Sequence, residues 1–364
     1  MQGKMNIGII GCGMISSTYF GASQNTDVLK IKSCADINME AARSQADKYN
    51  CQAVSVDKLL ADAEIELILN LTVPRAHAEV GLEVLKAGKH VYSEKPFAVD
   101  IESGEMLLRT AAKQGLRVGC APDTFFGAGI QTARKIADEN RIGKIIAGTA
   151  FMCGHGPENW HPNAPFYFDI GGGPMMDMGP YYITALVNIL GPVKRVAGIT
   201  AKAFDERIPT SGAFSGVHIP VHTSTHLAGV MEFVSGAVVT MIMSFDMWRH
   251  SLPCIELYGT TGSMQVPDPN NFGGPVRNSD SGGDWYDVPL AFPQNARMIG
   301  VIDMVRAIRS GREHRASGAL AHHVLETMLA FDKSSQSGKY VQIQSAVERP
   351  APLPIGLNEW EVES

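Results

Sequence analysis

The feature that most constrains the fold is an alternation, over the first 121 residues, of short apolar segments with segments of helical periodicity. The apolar segments are rich in Ile, Val and Leu with little polar alternation, which is typical of strands buried on both faces. The predicted strands are residues 6–10, 31–35, 52–54, 65–71, 90–93 and 116–120. Helices are predicted between them, for example at 76–87 and 101–114. Strand–helix alternation with short links predicts a doubly wound parallel sheet, and therefore an α/β fold.

After residue 122 the pattern changes. The predicted elements are a helix at 130–140, strands at 193–203, 225–234, 237–245 and 255–258, and helices at 296–310 and 320–335. We expect an α+β domain with a mostly antiparallel, open sheet at 123–364, following the parallel domain at 1–122. Residues 266–287 are rich in Gly, Pro, Asn and Asp and predict a long loop, and 350–364 predict an extended tail.

Composition excludes several classes of function. The chain has 364 residues, 31 Lys and Arg against 37 Asp and Glu, and an isoelectric point near 6.0. That balance argues against nucleic acid or an anionic membrane as a partner. Six scattered cysteines without a Cys-x-x-Cys pair predict reduced thiols in a cytoplasmic protein. His218, His222 and His226 fall in an extended stretch, which spaces successive histidines about 13 Å apart, too far to share one ion, so we expect no metal site.

A glycine-rich turn joins the first predicted strand to the first helix. It reads Gly11-Cys12-Gly13-Met14-Ile15-Ser16, with serine at the place of a usual third glycine. Gly11 permits the tight turn, and Gly13 lets backbone N–H groups, with those of Met14 and Ile15, approach a pyrophosphate at the helix N-terminus. Asp36 follows Gly13 by 23 residues at the end of the second strand. Its carboxylate would accept hydrogen bonds from ribose hydroxyls and repel a 2′-phosphate, so NAD is favoured over NADP.

Further candidates for cofactor binding lie at the carboxyl ends of later strands, where ligands of open α/β sheets bind. Thr72 and Pro74 follow the fourth strand and are expected beside the nicotinamide ribose. His77 is either a cofactor contact or a histidine on a helix face. For Asp36, the alternative to binding the ribose is a structural role as a cap of the strand end. Glu94 and Lys95 follow the fifth strand, and a lysine at that edge is poorly explained by packing. The cofactor-binding set also includes these two residues.

A second group of motifs indicates chemistry. The triplet Gly171-Gly172-Gly173 precedes Asp177 and Tyr181, which are four residues apart and so share one helix face. Together with the glycine turn, with Ala35-Asp36 and with Glu94-Lys95-Pro96, in this order, the chain resembles the Gfo/Idh/MocA family of sugar and polyol dehydrogenases. The resemblance covers nearly the whole chain. It implies a Rossmann domain and a second domain whose open sheet often makes dimer or tetramer contacts, and therefore a homo-oligomer.

The resemblance also implies an activity. The family mostly oxidises a secondary alcohol, or reduces a ketone, on a sugar-like ring with NAD(P), as dehydrogenases acting on CH–OH groups. Its catalytic lysine and aspartate match Lys95 and Asp177, and a position that is often histidine is Tyr181 here. Unperturbed tyrosine is a much weaker base than histidine near neutral pH.

The reaction chemistry leaves two assignments open. Hydride loss from a carbinol carbon requires loss of the hydroxyl proton, so a base and a cation near the hydroxyl would both serve. In one assignment Tyr181 is the base, its ionisation favoured by the Lys95 charge, and Asp177 orients the sugar or relays the proton. In the other, Lys95 itself is the base. Capping of a helix by Asp177 and core packing of Tyr181 are the alternatives without chemistry.

The substrate side is predicted in the segment before the glycine triplet. His155, Trp160 and His161 combine an aromatic face with polar groups, which suits a sugar, and Asp177 completes the predicted substrate contacts. No Lys or Arg occurs between Lys144 and Lys194, which disfavours a phosphorylated or carboxylated substrate there, although Arg207 or Arg249 could reach in from other segments. Two other functions are considered: a glycoside hydrolase that cycles hydride through bound NAD, and an NAD-binding sensor without catalysis.

Overall fold

The computed structural model describes residues 3–363 as two compact units. The first comprises the described residues of Met1–Gly127, Phe292–His322 and Leu353–Ser364, and the second comprises Ala128–Ala291 and His323–Pro352. The limits expected from sequence, 1–122 and 123–364, differ from these units because two later segments pack with the first sheet. No helix among residues 3–363 combines the length and the apolar character needed to cross a membrane.

The first unit is built on a six-stranded parallel sheet. Its strands are β1 (Met5–Ile10), β2 (Leu29–Ala35), β3 (Gln52–Ala53), β4 (Leu67–Asn70), β5 (His90–Ser93) and β6 (Val118–Cys120). The helices between them are α1 (Ser16–Ser23), α2 (Met39–Tyr49), α3 (Val56–Ala61), α4 (His77–Lys86) and α5 (Ile101–Gln114). The strand order β3-β2-β1-β4-β5-β6, with every pair parallel, is that of the doubly wound Rossmann fold. The predicted fold class is confirmed.

Local sequence signals set the helix ends. Asp100 caps α5, accepting the N–H of Ser103 at 2.8 Å, and Gly115 ends the helix in the left-handed conformation at φ 66°. Asn38 caps α2 in the same way by accepting the N–H groups of Glu40 and Ala41. These caps supply the side-chain acceptors that orphan helix donors require.

The second unit is built on a nine-stranded mixed sheet. In chain order, the elements after β6 are α6 (Ala128–Asp138), β7 (Ile145–Cys153), α7 (Gly173–Leu190), β8 (Val193–Ala201), β9 (Glu206–Arg207), β10 (Ile219–Pro220), β11 (His226–Phe233), β12 (Val238–Ser244), β13 (Ile255–Gly259), β14 (Gly262–Val266), β15 (Val276–Asp280), β16 (Tyr286–Val288), α8 (Ile299–Ser310), α9 (Gly318–Ser337) and β17 (Val341–Gln342). The strand order is β16-β15-β14-β13-β7-β12-β11-β8-β17. Among the described strands, β7 and β12 form its parallel pair and the other pairs are antiparallel. The expected mostly antiparallel sheet is confirmed.

One expectation about this sheet is wrong. Residues 266–287 were expected to form a long loop, yet they contain β15 and β16. β15 pairs with β14 from Gly262↔Asp280 to Gln265↔Arg277. Its Asn, Ser and Asp residues have little intrinsic preference for a strand, and the ladder with β14 overrides that preference.

A buried carboxylate draws a late segment into the first unit. Asp123 has no exposed surface, and its side chain accepts the N–H groups of Met298 and Gly300 at the start of α8, at 3.0 and 3.3 Å. Arg297 pairs with the same carboxylate at 3.0 Å. The N-terminus of α8 is thereby fixed beside the end of β6. The tail is fixed to the same unit, where Trp360 donates its N–H to Asn295.

The two faces of the second sheet differ. On one face, the buried ring of Phe331 from α9 fills the space over two glycines, and a Cβ at Gly198 or Gly229 would come within 2.7 and 2.9 Å of that ring. The opposite face carries apolar side chains that remain uncovered, such as Ile199 at 73% exposure and Val238 at 43%.

Replacement of Phe331 by alanine tests the packing of the covered face. We expect Phe331→Ala to lower the free energy of unfolding by about 3–5 kcal/mol, because the two glycines cannot fill the cavity. Leu290→Ala, a change at a largely exposed apolar side chain of the same unit, should cost about 1 kcal/mol or less. Urea denaturation followed by circular dichroism measures both. Equal losses for the two variants would contradict this account of the core.

Candidate active site

The turn after β1 has a backbone that only glycine adopts easily. Gly11 has φ +101°, and a Cβ at this residue would lie 2.5 Å from the carbonyl of Leu71, at the end of β4. The Gly11 N–H donates to Ala35 O at 2.9 Å, which joins the turn to the end of β2. The first glycine is therefore required by the fold, before any ligand is considered.

The third residue of the turn faces open space. A Cβ on Gly13 would meet nothing within 4 Å, and Gly13 itself is exposed. Within residues 3–363, no acceptor is found for the N–H groups of Gly13, Met14 or Ile15, and α1 has no side-chain cap. Ser16, at the position of the usual third glycine, is buried and donates its hydroxyl to Gly13 O at 2.6 Å. The turn thus presents free N–H donors at a helix start, which fits a pyrophosphate.

Asp36 both supports the turn and retains capacity for a ligand. Its Oδ2 accepts the N–H of Cys12 at 2.7 Å, and its Oδ1 accepts the N–H of Asn38 at 2.8 Å. A carboxylate offers about four acceptor positions, so two remain for ribose hydroxyls. The neighbouring Ile37 is fully exposed, as Met14 and Val73 largely are. Uncovered apolar side chains along this edge of the sheet fit a site that closes over a flat cofactor ring.

His77 is held by main-chain groups. Its ring is fully buried, with Nδ1 2.7 Å from Pro96 O and Nε2 2.9 Å from Thr72 O. Burial lowers the pKa of His77, and the two carbonyls oppose that shift only in part. The ring joins the segment after β4 to the segment after β5, so His77 positions these loops and its nitrogens are not offered to a ligand. Thr72 and Pro74 remain partly exposed at the predicted edge.

The side chain of Glu94 fixes the backbone of Lys95. Glu94 is buried, and its Oε1 accepts the Tyr19 hydroxyl at 2.7 Å while its Oε2 accepts the Lys95 N–H at 3.0 Å. Burial alone would raise the pKa of Glu94, but the charges of Arg297 and Lys95 and the Tyr19 hydrogen bond outweigh it and leave that pKa lowered. Glu94 is therefore an anion held by the protein itself, and Lys95 is partly exposed directly after it.

The glycine triplet sets the start of α7 in the second unit. A Cβ on Gly172 would lie 2.6 Å from Tyr167 O, and one on Gly173, at φ +84°, would lie 2.7 Å from Ser224 O. Gly172 caps α7, so Asp177 lies inside the helix and does not cap it. Asp177 is partly exposed and Tyr181, one turn on, is largely buried on the same face.

The predicted substrate segment falls into two parts. His161 makes edge-to-face contacts with Trp160 and Tyr167, at centroid distances of 5.6 and 4.7 Å. Burial lowers the pKa of His161, and a hydrogen bond with the Asn163 backbone and the charge of Asp177 oppose that shift in part. His155 instead stacks on Trp248, with ring centroids 3.3 Å apart.

The structure distributes the predicted residues between the two units. The first unit contains Gly11, Gly13, Met14, Ile15, Asp36, Thr72, Pro74, His77, Glu94 and Lys95; the second contains His155, Trp160, His161, Asp177 and Tyr181. Among the residues that the structure describes, no group of three or more His, Cys, Asp or Glu side chains is arranged to hold a metal ion. Arg207, a possible anion contact from sequence, is buried and paired with Glu158 and Asp246.

Sequence reasoning missed several supporting residues. Tyr19, which donates a hydrogen bond to Glu94, is 75 residues away in sequence. Arg297, whose charge lowers the pKa of Glu94, is more than 200 residues away. No local sequence pattern predicts interactions over such separations. Trp248 had a weak signal, since it is an aromatic residue next to Arg249 and only three positions after the strand predicted at 237–245.

The fold and the glycine turn define an α/β protein with a dinucleotide site. A family model described as "Oxidoreductase family, NAD-binding Rossmann fold" matches residues 5–121, and the "GFO/IDH/MocA C-terminal domain" matches residues 130–265. The chain therefore belongs to the Gfo/Idh/MocA family of oxidoreductases, and its first unit is an NAD-binding Rossmann domain.

Individual relatives are distant but cover most of the chain. Inositol 2-dehydrogenase of Rhizobium meliloti is 24% identical over 324 residues, covering 86% of this chain and 92% of that protein. D-xylose dehydrogenase of Paenarthrobacter nicotinovorans is 25% identical over 306 residues, covering 76% and 78%. Among solved structures, levoglucosan dehydrogenase in complex with NADH has a TM-score of 0.79 at 19% identity, covering 94% of this chain and 100% of that one.

Three glycine-to-alanine changes separate folding from cofactor binding. Gly11→Ala should lower the free energy of unfolding by about 1–3 kcal/mol, because alanine is strained at this positive φ and its Cβ would clash with Leu71. The same distortion of the turn should also lower the affinity for NAD. Gly13→Ala should leave stability unchanged and weaken NAD binding, because its methyl group enters the ligand's space alone. Gly21→Ala, inside α1 with open space around its Cβ, is the matched control and should lower neither the free energy of unfolding nor the affinity for NAD. Calorimetry with NAD and thermal unfolding measure the set; full NAD affinity in Gly13→Ala would contradict the assigned cofactor turn.

Proposed function

We propose that this chain is an NAD-dependent dehydrogenase that transfers hydride between nicotinamide and a secondary hydroxyl or ketone of a sugar, polyol or related cyclic substrate. One observation carries the proposal: two features occur at the same edge of the first sheet. They are the free N–H donors at the start of α1 and Lys95, whose backbone N–H is hydrogen-bonded to the buried carboxylate of Glu94. The names of the relatives, which include inositol, xylose and levoglucosan dehydrogenases, support the substrate class.

The proposed chemistry assigns a role to each side chain. Bound NAD supplies the hydride acceptor. Lys95, partly exposed above Glu94, stabilises the negative charge that develops on the substrate oxygen, or takes the hydroxyl proton itself. Tyr181 is the other proton acceptor, and Asp177, one turn before it on α7, orients a hydroxyl or passes the proton on. Glu94 keeps the Lys95 backbone fixed, since its carboxylate is held by Tyr19.

Two finer points of specificity follow from charge. Asp36 would repel a 2′-phosphate, which favours NAD over NADP. The substrate segment offers no cation between Lys144 and Lys194, and the guanidinium of Arg207 is already neutralised by two carboxylates. We therefore propose a neutral substrate; Arg249, exposed on the loop after β12, is the cation that a charged substrate would have to reach.

A panel of free sugars, inositols and keto-sugars with NAD and with NADP, read by nicotinamide absorbance, tests the activity. Stoichiometric growth of NADH with a neutral sugar is the expected result. Sugar release from glycosides without net NADH would instead indicate a hydrolase that cycles hydride, and NAD binding without turnover of any kind would indicate a sensor. A clear preference for sugar phosphates would overturn the neutral-substrate assignment.

Substitutions at the proposed catalytic residues should separate chemistry from binding. Lys95→Met and Tyr181→Phe are expected to lower kcat by about 10²–10⁴ with little change in NAD affinity, because each removes a group that acts on the substrate proton or oxygen. Lys113→Met, in the last turn of α5, is the control and should keep full activity. Steady-state kinetics and NAD titrations measure this, and intact turnover in Lys95→Met would rule out the assignment.

We also propose that the open face of the second sheet pairs two copies of the chain in a homodimer or homotetramer. Ile199 and Val238 are exposed on that face, and monomers rarely leave large apolar patches uncovered. Ile199→Glu should therefore lower the molecular mass in solution towards that of the monomer. Ile208→Glu, at an exposed residue in the connection between β9 and β10, should leave the mass unchanged. Light scattering after size exclusion measures both; an unchanged mass in Ile199→Glu would refute this interface. A cytoplasmic location stays a prediction.

A further inference from the structure

Two loops of the second unit leave the same end of the sheet and are bonded to each other. They follow β7 and β12, which run parallel in register up to Cys153 and Ser244. Beyond the strands, Gly154 donates its N–H to Ser244 O at 3.0 Å, and Met247 donates its N–H to Gly154 O at 3.0 Å. Residues 154–161 and 245–250 therefore form one layer, which we call the paired loops.

A buried cation locks the paired loops. Arg207 is 4% exposed and donates to Glu158 Oε1 at 3.0 Å and to the His155 carbonyl at 3.3 Å in the first loop. In the second loop it donates to the Phe245 carbonyl at 2.8 Å and to the Asp246 carboxylate. Loss of one member of a buried ion group leaves the others uncompensated, so the arrangement holds the loops in one geometry.

Trp248 lies on this rigid layer with one face open. Its indole stacks on the His155 ring at 3.3 Å with an angle of 17° between the planes, yet 81% of the residue is exposed. Arg207 lies 3.4 Å from Nε2 of His155 and so fixes the ring beneath the indole. Within the described residues, His155 Nδ1 and Glu158 Oε2 are buried without a hydrogen-bond partner. The layer thus presents a fixed aromatic face, and these unpaired polar atoms lie buried in the layer that supports it.

The first of the paired loops also carries the residues already assigned to substrate. Trp160, 71% exposed, precedes His161, whose ring packs edge-to-face against Trp160 and Tyr167. An exposed, immobilised indole offers a large contact area at little cost in side-chain entropy, and ligand sites use such faces together with a few placed polar groups.

We propose that Trp248, backed by His155, is a substrate subsite at which the apolar face of a neutral sugar or cyclitol ring stacks. This inference rests on the proposed function and adds a specificity-determining residue to it. Arg207 is a positioning residue for this subsite, since it holds His155 and both loops and its charge is balanced by Glu158 and Asp246. The C–H face of the ring would lie on the indole, which leaves the hydroxyls at the ring edge available for hydrogen bonds.

The test compares Trp248→Ala and Trp248→Phe with Trp285→Ala, a partly exposed tryptophan before β16 that serves as the matched control. Trp248→Ala should raise KM for the best neutral substrate about tenfold, as loss of one aromatic contact implies. We expect kcat to change by less than about twofold and NAD affinity not at all. Trp248→Phe should retain most of the wild-type KM, and Trp285→Ala all of it.

Two outcomes would overturn the subsite. One is a KM in Trp248→Ala equal to that of Trp285→Ala. The other is a KM increase accompanied by a fall in the molecular mass measured by light scattering, which would show that a second copy of the chain covers the indole. Thermal melts of Trp248→Phe and Trp248→Ala separate misfolding from lost contact.

A binding arm keeps this inference distinct from the proposed function. Calorimetric titration of the same sugars and inositols into the wild type and Trp248→Ala, with NAD present, requires no turnover. Binding that depends on Trp248 without oxidation would refute the dehydrogenase and support the subsite. Oxidation with equal binding by both proteins would refute the subsite alone, and the absence of any sugar binding would refute both.

Discussion

The carboxylate of Glu94, buried at the end of β5, is the interaction on which the first unit's proposed chemistry depends. A buried anion is tolerated only when it is hydrogen-bonded and faced by positive charge. Tyr19 from α1 provides the hydrogen bond, and the charge of Arg297, held by Asp123, lowers the pKa of Glu94 against the effect of burial. The same pair of acidic residues therefore fixes the Lys95 backbone and draws the start of α8 into the first unit.

The second unit applies the same principle with the signs reversed. Its buried group is a cation, Arg207, shared between Glu158 and Asp246. The cation lies on the two-residue strand β9, in a long connection between β8 and β11, and from there it fixes loops that follow β7 and β12. In both units a buried charge holds the segments that carry exposed functional side chains. Rigid support of this kind keeps a site near its productive geometry before the ligand arrives.

The sequence predicted those features that depend on local pattern. The strands of the first unit follow from apolar runs and the glycine turn follows from Gly11, because each acts on backbone only a few residues away. It could not predict that His77 and Glu94 are held by the protein, since their partners Pro96, Thr72 and Tyr19 depend on how the strands align. The strands β15 and β16 were missed for the same reason: their pairing partner, and not their composition, makes them strands.

The division between backbone and side-chain recognition accounts for the low identity to relatives that share the fold. The pyrophosphate site that we propose consists of N–H groups at the start of α1, so it depends on the turn at Gly11 and on the open space at Gly13 and little on the neighbouring side chains. The proposed substrate contacts are instead side chains such as Trp160, His161 and Asp177, which a single substitution alters. Divergence within this architecture is therefore expected to change the substrate long before it changes the cofactor, because one side chain is replaced more easily than a backbone turn.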